Sequence, residues 1–326
     1  MVGVTELIDG TAVPHPPARV VPTGRAATVP AETLAAAVLA AADAARHSAV
    51  RLVDLDQLDQ LRAVQALFDS IWHPAPDNRP VTVELMRALG KAGNPLTGAY
   101  EGTRLVGACV GFFAAPCGTS LHSHVTGVAA DAQRRSIGRA LKLHQRAWAL
   151  ERGVTRITWT FDPLVRRNAW FNLARLAATP QEYLRDFYGT MADTINGDDQ
   201  SDRLLTGWAL DSDRVAAAVA GEPVVVDLTA LRAAGAVAVV SPGPDGGPLV
   251  TPGDPDTVRL VAVPADVEGL RSRAPELAAQ WRLAVRDALG GALDAGARVH
   301  GFAREGWYVV DGAAAAAAPG PGRATP

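Results

Sequence analysis

Apolar residues occur with two different spacings along most of this chain. Short runs rich in Val, Leu and Thr have the length and composition of strands, and the residues between them are apolar at every third or fourth position, as on one face of a helix. The predicted strands lie at 49–55, 96–114, 121–128, 155–161 and 203–210, and the predicted helices at 56–72, 136–153 and 166–177. Segment 96–114 contains two strands joined by a turn at Glu101-Gly102-Thr103. The order β-α-β-β-β-α-β-α-β predicts an α/β fold, but its hairpin excludes a simple Rossmann alternation.

The same kind of pattern resumes after residue 221. Strands are predicted at 222–228, 235–241, 258–265, 297–303 and 306–310, and a long helix at 276–296. The order of elements in 258–302 is similar to that in 121–160, without the glycine and arginines described below. One interpretation is a degenerate half-copy or a packing extension, and the alternative is an independent lid domain.

The two ends of the chain differ from the middle in composition. Residues 1–30 are rich in Pro, Gly and Val and predict an extended arm, whereas the Ala-rich stretch 30–48 predicts a helix. The last residues are mainly Ala, Pro and Gly and are expected to be disordered. The predicted divisions are an arm and helix (1–48), an α/β domain (49–212), an α/β extension (213–312) and a tail (313–326).

Composition and charge exclude several classes of protein. The chain has 326 residues, 48% of them hydrophobic, and a net charge of −3 without an evident basic face, which argues against nucleic-acid binding. No apolar run reaches the roughly 18 residues that a membrane span requires, and the first residues lack the pattern of a secretory signal. We therefore expect a cytoplasmic protein. The two cysteines, Cys109 and Cys117, are either paired in a disulfide or free, since the sequence does not decide between these alternatives. No cysteine or histidine spacing predicts a metal site.

A glycine and several cations lie at the predicted start of helix 136–153. Gly138 opens this helix, and the cations around it are Arg134, Arg135, Arg139 and Lys142. A helix N-terminus exposes unpaired N–H groups and a partial positive charge, so a phosphate can approach the backbone where no side chain intervenes. The alternative is that Gly138 only eases a turn and that the arginines are a solvated helix start.

The stretch Arg135-Ser136-Ile137-Gly138-Arg139-Ala140 resembles the Q/R-x-x-G-x-G/A loop of the GNAT superfamily of CoA-dependent N-acyltransferases. The predicted order of elements over 49–210 is similar to that family too. The resemblance implies a GNAT fold, which is a mixed, mostly antiparallel sheet flanked by helices, here with an α/β C-terminal extension. The whole chain after the arm looks closest to a branch of predicted GNAT enzymes similar to those encoded beside N-acylamino-acid racemases.

This resemblance implies that acetyl-CoA or another acyl-CoA is the acyl donor, without a metal. In the family, pantetheine lies in a gap beside the strand that precedes the loop, and that strand ends here with Thr126-Gly127-Val128. Gly127 is either a point of close ligand approach or a bulge glycine. The implied CoA-binding residues are Thr126, Val128, Arg134, Arg135, Ser136, Ile137, Gly138, Arg139, Ala140 and Asn168.

Two histidines are the candidates for the base. His122, His124 and Thr126 have the same parity on strand 121–128, which predicts that they face one side of the sheet. His124 occupies the position at which many members of the family carry the glutamate that deprotonates the amine. The ordinary pKa of an imidazole, about 6.5, suits this task. His124 is therefore the predicted general base and His122 a proton relay, with a structural histidine as the alternative.

The chain departs from the family at the general acid. Leu173 stands within about one residue of the usual tyrosine, so we consider Tyr183 and Tyr188 instead, either of which has a structural role as its alternative. Of the two tyrosines, Tyr188 is the one predicted to be catalytic, alongside His124 and His122. We expect Asp162 to cap the next helix. The resemblance further implies that the acidic turn 195–203 lies near the active cleft, where Asp202 or Arg203 would contact the acceptor; the alternative is a solvated turn.

The predicted function is transfer of an acetyl or larger acyl group from acyl-CoA to the amine of a small, amino-acid-like acceptor by direct attack. The acceptor is expected to carry a carboxylate and to lie between 70–80 and 183–203. A homodimer is compatible with the resemblance. The alternative, motivated by the missing tyrosine, is an acyl-CoA-binding protein without transferase activity, or a GNAT fold adapted to another reaction such as decarboxylation.

Overall fold

Two β-sheets with helices packed on them make up the described part of the chain. The computed structural model describes residues 28–75, 78–115, 118–189 and 199–311. Helix α1 (Ala31–His47) confirms the helix predicted in the Ala-rich stretch. All but the last three residues of the predicted arm, and the whole tail, lie outside the described residues. Within those residues, no helix is both long and apolar enough to cross a membrane.

The first sheet has seven strands in the order β1-β2-β3-β4-β5-β7-β6. Its strands are β1 (Arg51–Asp54), β2 (Leu96–Glu101), β3 (Arg104–Ala114), β4 (Ser120–Val128), β5 (Arg156–Phe161), β6 (Thr179–Leu184) and β7 (Arg203–Ala209). β4 and β5 pair in parallel, and the other neighbouring strands of this sheet pair antiparallel. The predicted mixed, mostly antiparallel sheet is therefore confirmed.

Helices cover both faces of the first sheet. Helices α2 (Leu58–Trp72) and α3 (Val83–Lys91) lie on one face, and α4 (Ile137–Glu151) lies on the other with α1 packed on it. A Cβ atom added to Gly127 of β4 would lie 2.8 Å from Ile71 of α2. One added to Gly107 of β3 would lie 3.1 Å from Ile137 of α4. We call the two sides the α2 face and the α4 face.

The chain leaves β5 through a short helix, α5 (Arg166–Ala169), which continues as a π-helical segment at Trp170–Arg175. After β7 it forms helices α6 (Asp213–Ala220) and α7 (Leu228–Ala233) and then a second sheet. That sheet has five strands in the order β11-β12-β10-β8-β9. Its strands are β8 (Val237–Pro242), β9 (Pro248–Val250), β10 (Arg259–Ala262), β11 (Val299–Ala303) and β12 (Trp307–Val310).

Helices α8 (Val267–Arg273) and α9 (Pro275–Val285), a second π-helical segment (Arg286–Gly290) and α10 (Gly291–Asp294) connect β10 to β11. The second sheet thereby repeats the strand order of one end of the first. The parallel pair β4–β5 is followed by antiparallel β7 and β6, and the parallel pair β8–β10 is followed by antiparallel β12 and β11. The sequence pattern related segment 258–302 to segment 121–160, whereas the strand order relates β10, β12 and β11 to β5, β7 and β6. The half-copy stays an interpretation.

One hydrophobic core runs through both sheets. Trp208 of β7, Trp281 of α9 and Phe302 of β11 belong to the same buried cluster. Burying apolar area stabilises the folded chain by about 25 cal/mol per Å². Because residues of both sheets belong to this one cluster, the extension shares its hydrophobic core with the first sheet.

Two strands missing from the sequence prediction lie at sheet edges and contain proline. β6 includes Pro180 and β9 includes Pro248. Proline has no N–H for a sheet ladder and is tolerated at edges, so it weakens the sequence signal of such strands. The strand predicted at 222–228 is wrong: Val225 is 76% exposed and Asp227 caps α7, although this segment is hydrogen-bonded through Val224 N to Ala174 O.

Candidate functional site

Strands β4 and β5 separate part-way along their length. They pair only from Ser120 to His122 on β4 and from Arg156 to Thr158 on β5. β4 then continues to Val128 and β5 to Phe161 without pairing to each other. This gap between neighbouring strands leaves backbone N–H and C=O groups of β4 without a sheet partner on that side, where an extended ligand can bond to them.

A β-bulge lies beside the gap. Val125 pairs with Val110 and Ser123 with Gly111, so His124 is the extra residue of β4. A bulge shifts the alternation of side chains. Thr126 consequently lies on the α4 face, where its Oγ1 is 3.1 Å from Cys109 Sγ. The prediction that Thr126 shares a face with the two histidines is therefore wrong, because parity counting assumes an unbroken ladder.

The loop between β4 and α4 has an unusual backbone. Arg134 and Ser136 have positive φ angles of 64° and 63°, which are uncommon for residues with side chains and occur often at functional sites. Gly138 is different: it lies in the first turn of α4 with an ordinary helical backbone, and a Cβ atom placed on it would have nothing within 4 Å. Its lack of a side chain is not required by its conformation or its packing, and it leaves the helix N-terminus open to a ligand.

The four cations of the helix start do not form one cluster. Arg135 donates to Glu101 Oε1 at 2.8 Å, and Arg139 donates to the carbonyl of Val219 at 2.5 Å. Lys142 points inward, with Nζ 2.8 Å from Ser123 Oγ and 4.0 Å from the ring centroid of Trp159. Counting Lys142 among cations at the helix mouth is therefore wrong. Ile137 and Ala140 are also buried, so only their backbone is available to a ligand.

Lys142 lies where β4 and β5 diverge, because Ser123 and Trp159 directly follow the last paired residues of the two strands. Its side chain is 6% exposed, and burial lowers the pKa of its ammonium group to about 8. Nearby, the Cys109 thiol accepts from Gln145 Nε2 at 3.4 Å. Cys109 is a free cysteine, and Cys117 lies outside the described residues.

The two histidines lie on the α2 face, on either side of Phe112. The Phe112 ring centroid is 5.2 Å from that of His122 and 5.8 Å from that of His124. His124 Nε2 donates to the carbonyl of Pro80 at 2.9 Å, which leaves Nδ1 as the nitrogen that can accept a proton. The hydrogen bond ties His124 to the loop between α2 and α3.

His122 Nδ1 is 3.0 Å from Thr158 Oγ1 of β5. Burial, and then the charges of His124 and Lys142, lower the pKa of His122 to about 4. Its imidazole is therefore neutral at neutral pH.

A row of polar side chains continues across β5 on the same face. Thr160 lies two residues beyond Thr158, and its Oγ1 is 3.2 Å from the Tyr188 hydroxyl. The guanidinium carbon of Arg203 lies 5.4 Å from the centre of the Tyr188 ring. The two threonines alternate with Trp159 along β5, and this period-2 pattern is the sequence signal from which their shared face could have been predicted. The fold thus brings together His122, His124 and Tyr188, which are far apart in sequence.

Other candidate residues take structural positions. Tyr183 is buried and donates to Asp202 Oδ2 at 2.8 Å, and burial raises the pKa of its hydroxyl. Asp162 accepts from Leu164 N at 2.9 Å in the turn before α5, but the N-cap of that helix is Val165 without a side-chain cap, so the predicted capping role of Asp162 is wrong. Gly127 makes room for α2 rather than for a ligand, because a Cβ atom there would clash with Ile71 and Trp72. Asn168 is the third residue of the short helix α5 and is partly buried.

The end of β5 is held by buried ion pairs from the C-terminal extension. Arg282 of α9 is 1% exposed and donates to Asp162 Oδ1 at 2.8 Å and to Asp199 Oδ2 at 2.7 Å. Arg271 of α8 contacts the same two carboxylates. The extension therefore borders the row of polar side chains. Across the described residues, no group of three or more His, Cys, Asp or Glu side chains is placed to hold a metal ion.

Comparison with protein families gives one match. Residues 56–171 match the sequence model of the acetyltransferase (GNAT) family. The match spans α2 to the first part of the π-helical segment after β5, and so includes the gap, the loop and both histidines. No curated protein sequence matches the chain.

Solved structures are similar to about half of the chain. The ribosomal-protein-S18-alanine N-acetyltransferase from Escherichia coli is 15% identical and matches 50% of this chain and 95% of its own, with a TM-score of 0.41. An N-acetyltransferase from Staphylococcus aureus is 14% identical over 49% and 98%, with a TM-score of 0.40. The protein yncA from Salmonella typhimurium, solved with its cofactor acetyl-CoA, is 15% identical over 50% and 95%, with a TM-score of 0.40.

Proposed function

Because residues 56–171 of this chain form a domain of the GNAT acetyltransferase family, we propose that the protein transfers an acyl group from acyl-CoA to the amine of a small, amino-acid-like acceptor. The gap between β4 and β5 carries this proposal. It opens beside the bulged strand, next to the loop that ends at Gly138, and the row of polar side chains lies on its α2 face. These features together accommodate a long thioester on one side of an acceptor site.

The residues of the loop and of β4 fit a CoA thioester. Backbone N–H groups at the start of α4 are accessible above Gly138 and suit a diphosphate. The unpaired edge of β4 beyond His122 suits the amides of a pantetheine chain. Thr126 and Val128 would contribute through their backbone, and Asn168 lies at the start of α5 on the far side of the gap.

His124 supplies the base in this proposal. An amine arrives as an ammonium ion and loses a proton before its nitrogen attacks the thioester carbonyl. Nδ1 of His124 is free to accept that proton because Nε2 donates to Pro80 O. His122 has its pKa lowered to about 4 by burial and is a weak proton acceptor. It serves better as a neutral hydrogen-bonding neighbour than as the relay predicted from the sequence.

Tyr188 supplies the acid. As the carbon–sulfur bond breaks, the leaving thiolate takes up a proton, which the Tyr188 hydroxyl can donate. The attacking nitrogen loses its second proton as the amide forms, and this proton returns the tyrosinate to its neutral form. Tyr188 is 42% exposed and its hydroxyl lies 3.2 Å from the neutral Thr160 Oγ1, whereas Tyr183 is buried against Asp202. The products are an amide and free CoA thiol, and no covalent enzyme intermediate is required.

The acceptor would bind on the α2 face between the loop after α2 and the segment around Tyr188. Arg203 is the cation we favour for an acceptor carboxylate, because its guanidinium lies beside Tyr188 on this side of the sheet. It is 7% exposed and its Nη1 donates to the carbonyl of Asp202 at 2.8 Å, so an acceptor carboxylate would join an arginine that is already held in place. Arg185, which directly follows β6, pairs with Asp294 of α10 at 2.5 Å. An arginine binds a carboxylate with two parallel hydrogen bonds, which favours amino-acid-like amines.

The test is amine-dependent release of free thiol from acetyl-CoA. We expect release with amino acids and their close analogues but not with polyamines, aminoglycosides or lysine-containing peptides. Reaction with those amines and not with amino acids would contradict the proposed acceptor. Tight CoA binding without any thiol release would support the binding-protein alternative, and carbon dioxide release from malonyl-CoA without an amine would support decarboxylation.

A further inference from the structure

A cavity lies beside the loop that precedes α4, on the side away from the two histidines. Its volume is ≈ 430 Å³. Its polar lining comes from Ser136, Arg139, Arg175 and His47, and small residues near the ends of α1 and α6 complete the wall. Three of its walls, from α1, Arg175 and α6, lie outside the segment that matches the family model. The cavity is therefore a feature of this chain that the family match does not describe.

The charges around this cavity are unbalanced. None of the described residues that line it carries a carboxylate. Burial, and then the nearby charge of Arg175, lower the pKa of Arg139, which shows that the two guanidinium groups are close enough to repel each other. Two like charges in a partly buried site cost free energy unless an anion lies between them.

Arg139 also has an unused donor. Its Nη2 donates to the carbonyl of Val219, but its Nε is buried without a hydrogen-bond partner among the described residues. A buried donor without an acceptor is costly, so this guanidinium is incompletely satisfied by the described residues. A phosphate in the cavity would balance the excess charge of the two guanidinium groups.

We propose that this cavity binds the 3′-phosphate of the adenosine end of CoA, with Arg139 and Arg175 as its ligands and His47 at its rim. The inference rests on the proposed function, because it concerns the acyl donor's nucleotide. A phosphate monoester carries up to two negative charges, which matches two guanidinium groups without a carboxylate. Helix α1 and helix α6 then complete the nucleotide site.

The experiment compares CoA with 3′-dephospho-CoA by calorimetric titration of the full chain. We expect the wild type to bind CoA roughly 10- to 100-fold more tightly than dephospho-CoA, as for charge-assisted hydrogen bonds to phosphate. Arg175→Gln should weaken CoA binding by about tenfold and leave dephospho-CoA binding nearly unchanged, and Arg175→Lys should recover part of the loss. Unchanged dephospho-CoA binding also shows that the variant is folded.

The matched control is Arg62→Gln, which removes the same charge from an exposed position on α2, across the sheet from the cavity. We expect it to change neither affinity. Equal wild-type affinity for the two nucleotides, or an equal loss of both in Arg175→Gln, would overturn the 3′-phosphate site while leaving acyl-CoA binding intact. A wild type that binds neither nucleotide would overturn the proposed function as well.

Discussion

Single residues in this protein carry opposite roles at neighbouring positions of one strand. Ser123 faces α4 and accepts from the buried Lys142, whereas His122 and His124 face the α2 side and Phe112. Regular alternation along β4 gives this arrangement, and the bulge at His124 changes the facing only of the residues that follow it, such as Thr126. The proposed base is therefore the bulged residue itself.

Replacing His124 should slow the reaction without weakening CoA binding. His124→Ala removes the proposed base, and loss of a general base typically lowers kcat by about 10²–10⁴-fold. His124→Gln is the informative partner, because its amide can still donate to Pro80 O but cannot take up a proton. Steady-state kinetics with a calorimetric CoA affinity distinguish the roles. If His124→Gln restores kcat, the histidine is structural and the proposed base is wrong.

Lys142 should make folding stability depend on pH in the alkaline range. Its pKa of about 8 in the folded protein lies below the ordinary 10.5. The folded state therefore disfavours the charged form, so stability is reduced below pH 8 and rises as pH increases from about 8 to 10.5. Lys142→Met should remove this rise and stabilise the protein at pH 7 by an amount on the order of 3 kcal/mol at most.

The measurement is the free energy of unfolding in urea at several pH values. Lys91→Met, which changes the exposed lysine at the end of α3, is the matched control and should leave the pH dependence unchanged. A Lys142→Met protein that is less stable than the wild type at pH 7 would show that the hydrogen bond to Ser123 and the contact with Trp159 outweigh the burial of the charge.

At the scale of elements, the start of α4 combines an irregular loop with a regular helix. Arg134 and Ser136 adopt left-handed backbone conformations immediately before a helix whose second residue is glycine. Glycine within a helix is destabilising by roughly 0.5–1 kcal/mol relative to alanine. Gly138 therefore lowers the stability of α4 slightly, and the open space above it lets a ligand reach the backbone N–H groups of the helix N-terminus.

Gly138 variants should separate stability from binding. Gly138→Trp should abolish CoA binding in a folded protein, because the indole would occupy the space above the helix N-terminus. Gly138→Ala adds only a Cβ atom in open space, and should raise stability slightly while it weakens binding less. Titration with CoA and thermal unfolding give both quantities.

Gly291→Trp is the control for this pair, since a Cβ atom at this other helical glycine also has nothing within 4 Å. It should leave CoA binding unchanged. A folded Gly138→Trp protein with wild-type CoA affinity would show that the phosphates bind elsewhere.

At the scale of the whole molecule, buried ion pairs fix the C-terminal extension to the end of β5. Arg282 joins two carboxylates that come from different parts of the first domain, and the hydrophobic core continues across the same junction. The neighbouring arginines hold the pKa of Asp162 well below its usual range, against the opposing effect of burial. The extension is therefore anchored at the end of β5 by both charge and apolar packing.

Breaking this junction should destabilise the whole protein. Arg282→Met leaves the buried Asp162 and Asp199 with one arginine fewer, and loss of one partner of a buried ion pair typically costs about 3–5 kcal/mol. Arg273→Met, which removes an ion pair between largely exposed side chains, should cost at most about 1 kcal/mol. Urea unfolding compares the two. Similar stabilities for both variants would mean that the buried arginine is dispensable.

Local patterns in the sequence determined the order of most elements and the family resemblance. Hydrophobic spacing predicted α2, α4 and the strands β2 to β5, because side-chain periodicity depends on local backbone geometry, and the Ala-rich composition of 30–48 predicted α1. The loop Arg135–Ala140 likewise follows one contiguous motif. The edge strands β6 and β9 were missed because their prolines weaken the local signal, and their place at a sheet edge is a property of the assembled sheet.

Only the tertiary structure decided which side chains meet. Parity along β4 placed Thr126 beside the histidines, but the bulge moved it to the other face, since a bulge is defined by the register against β3. The inward direction of Lys142 depends on β5, and the row from His122 through Thr158 and Thr160 to Tyr188 needs three separate segments. The cavity between Arg139, Arg175 and His47 joins three helical segments. These contacts join residues remote in sequence, and no local pattern encodes such distances.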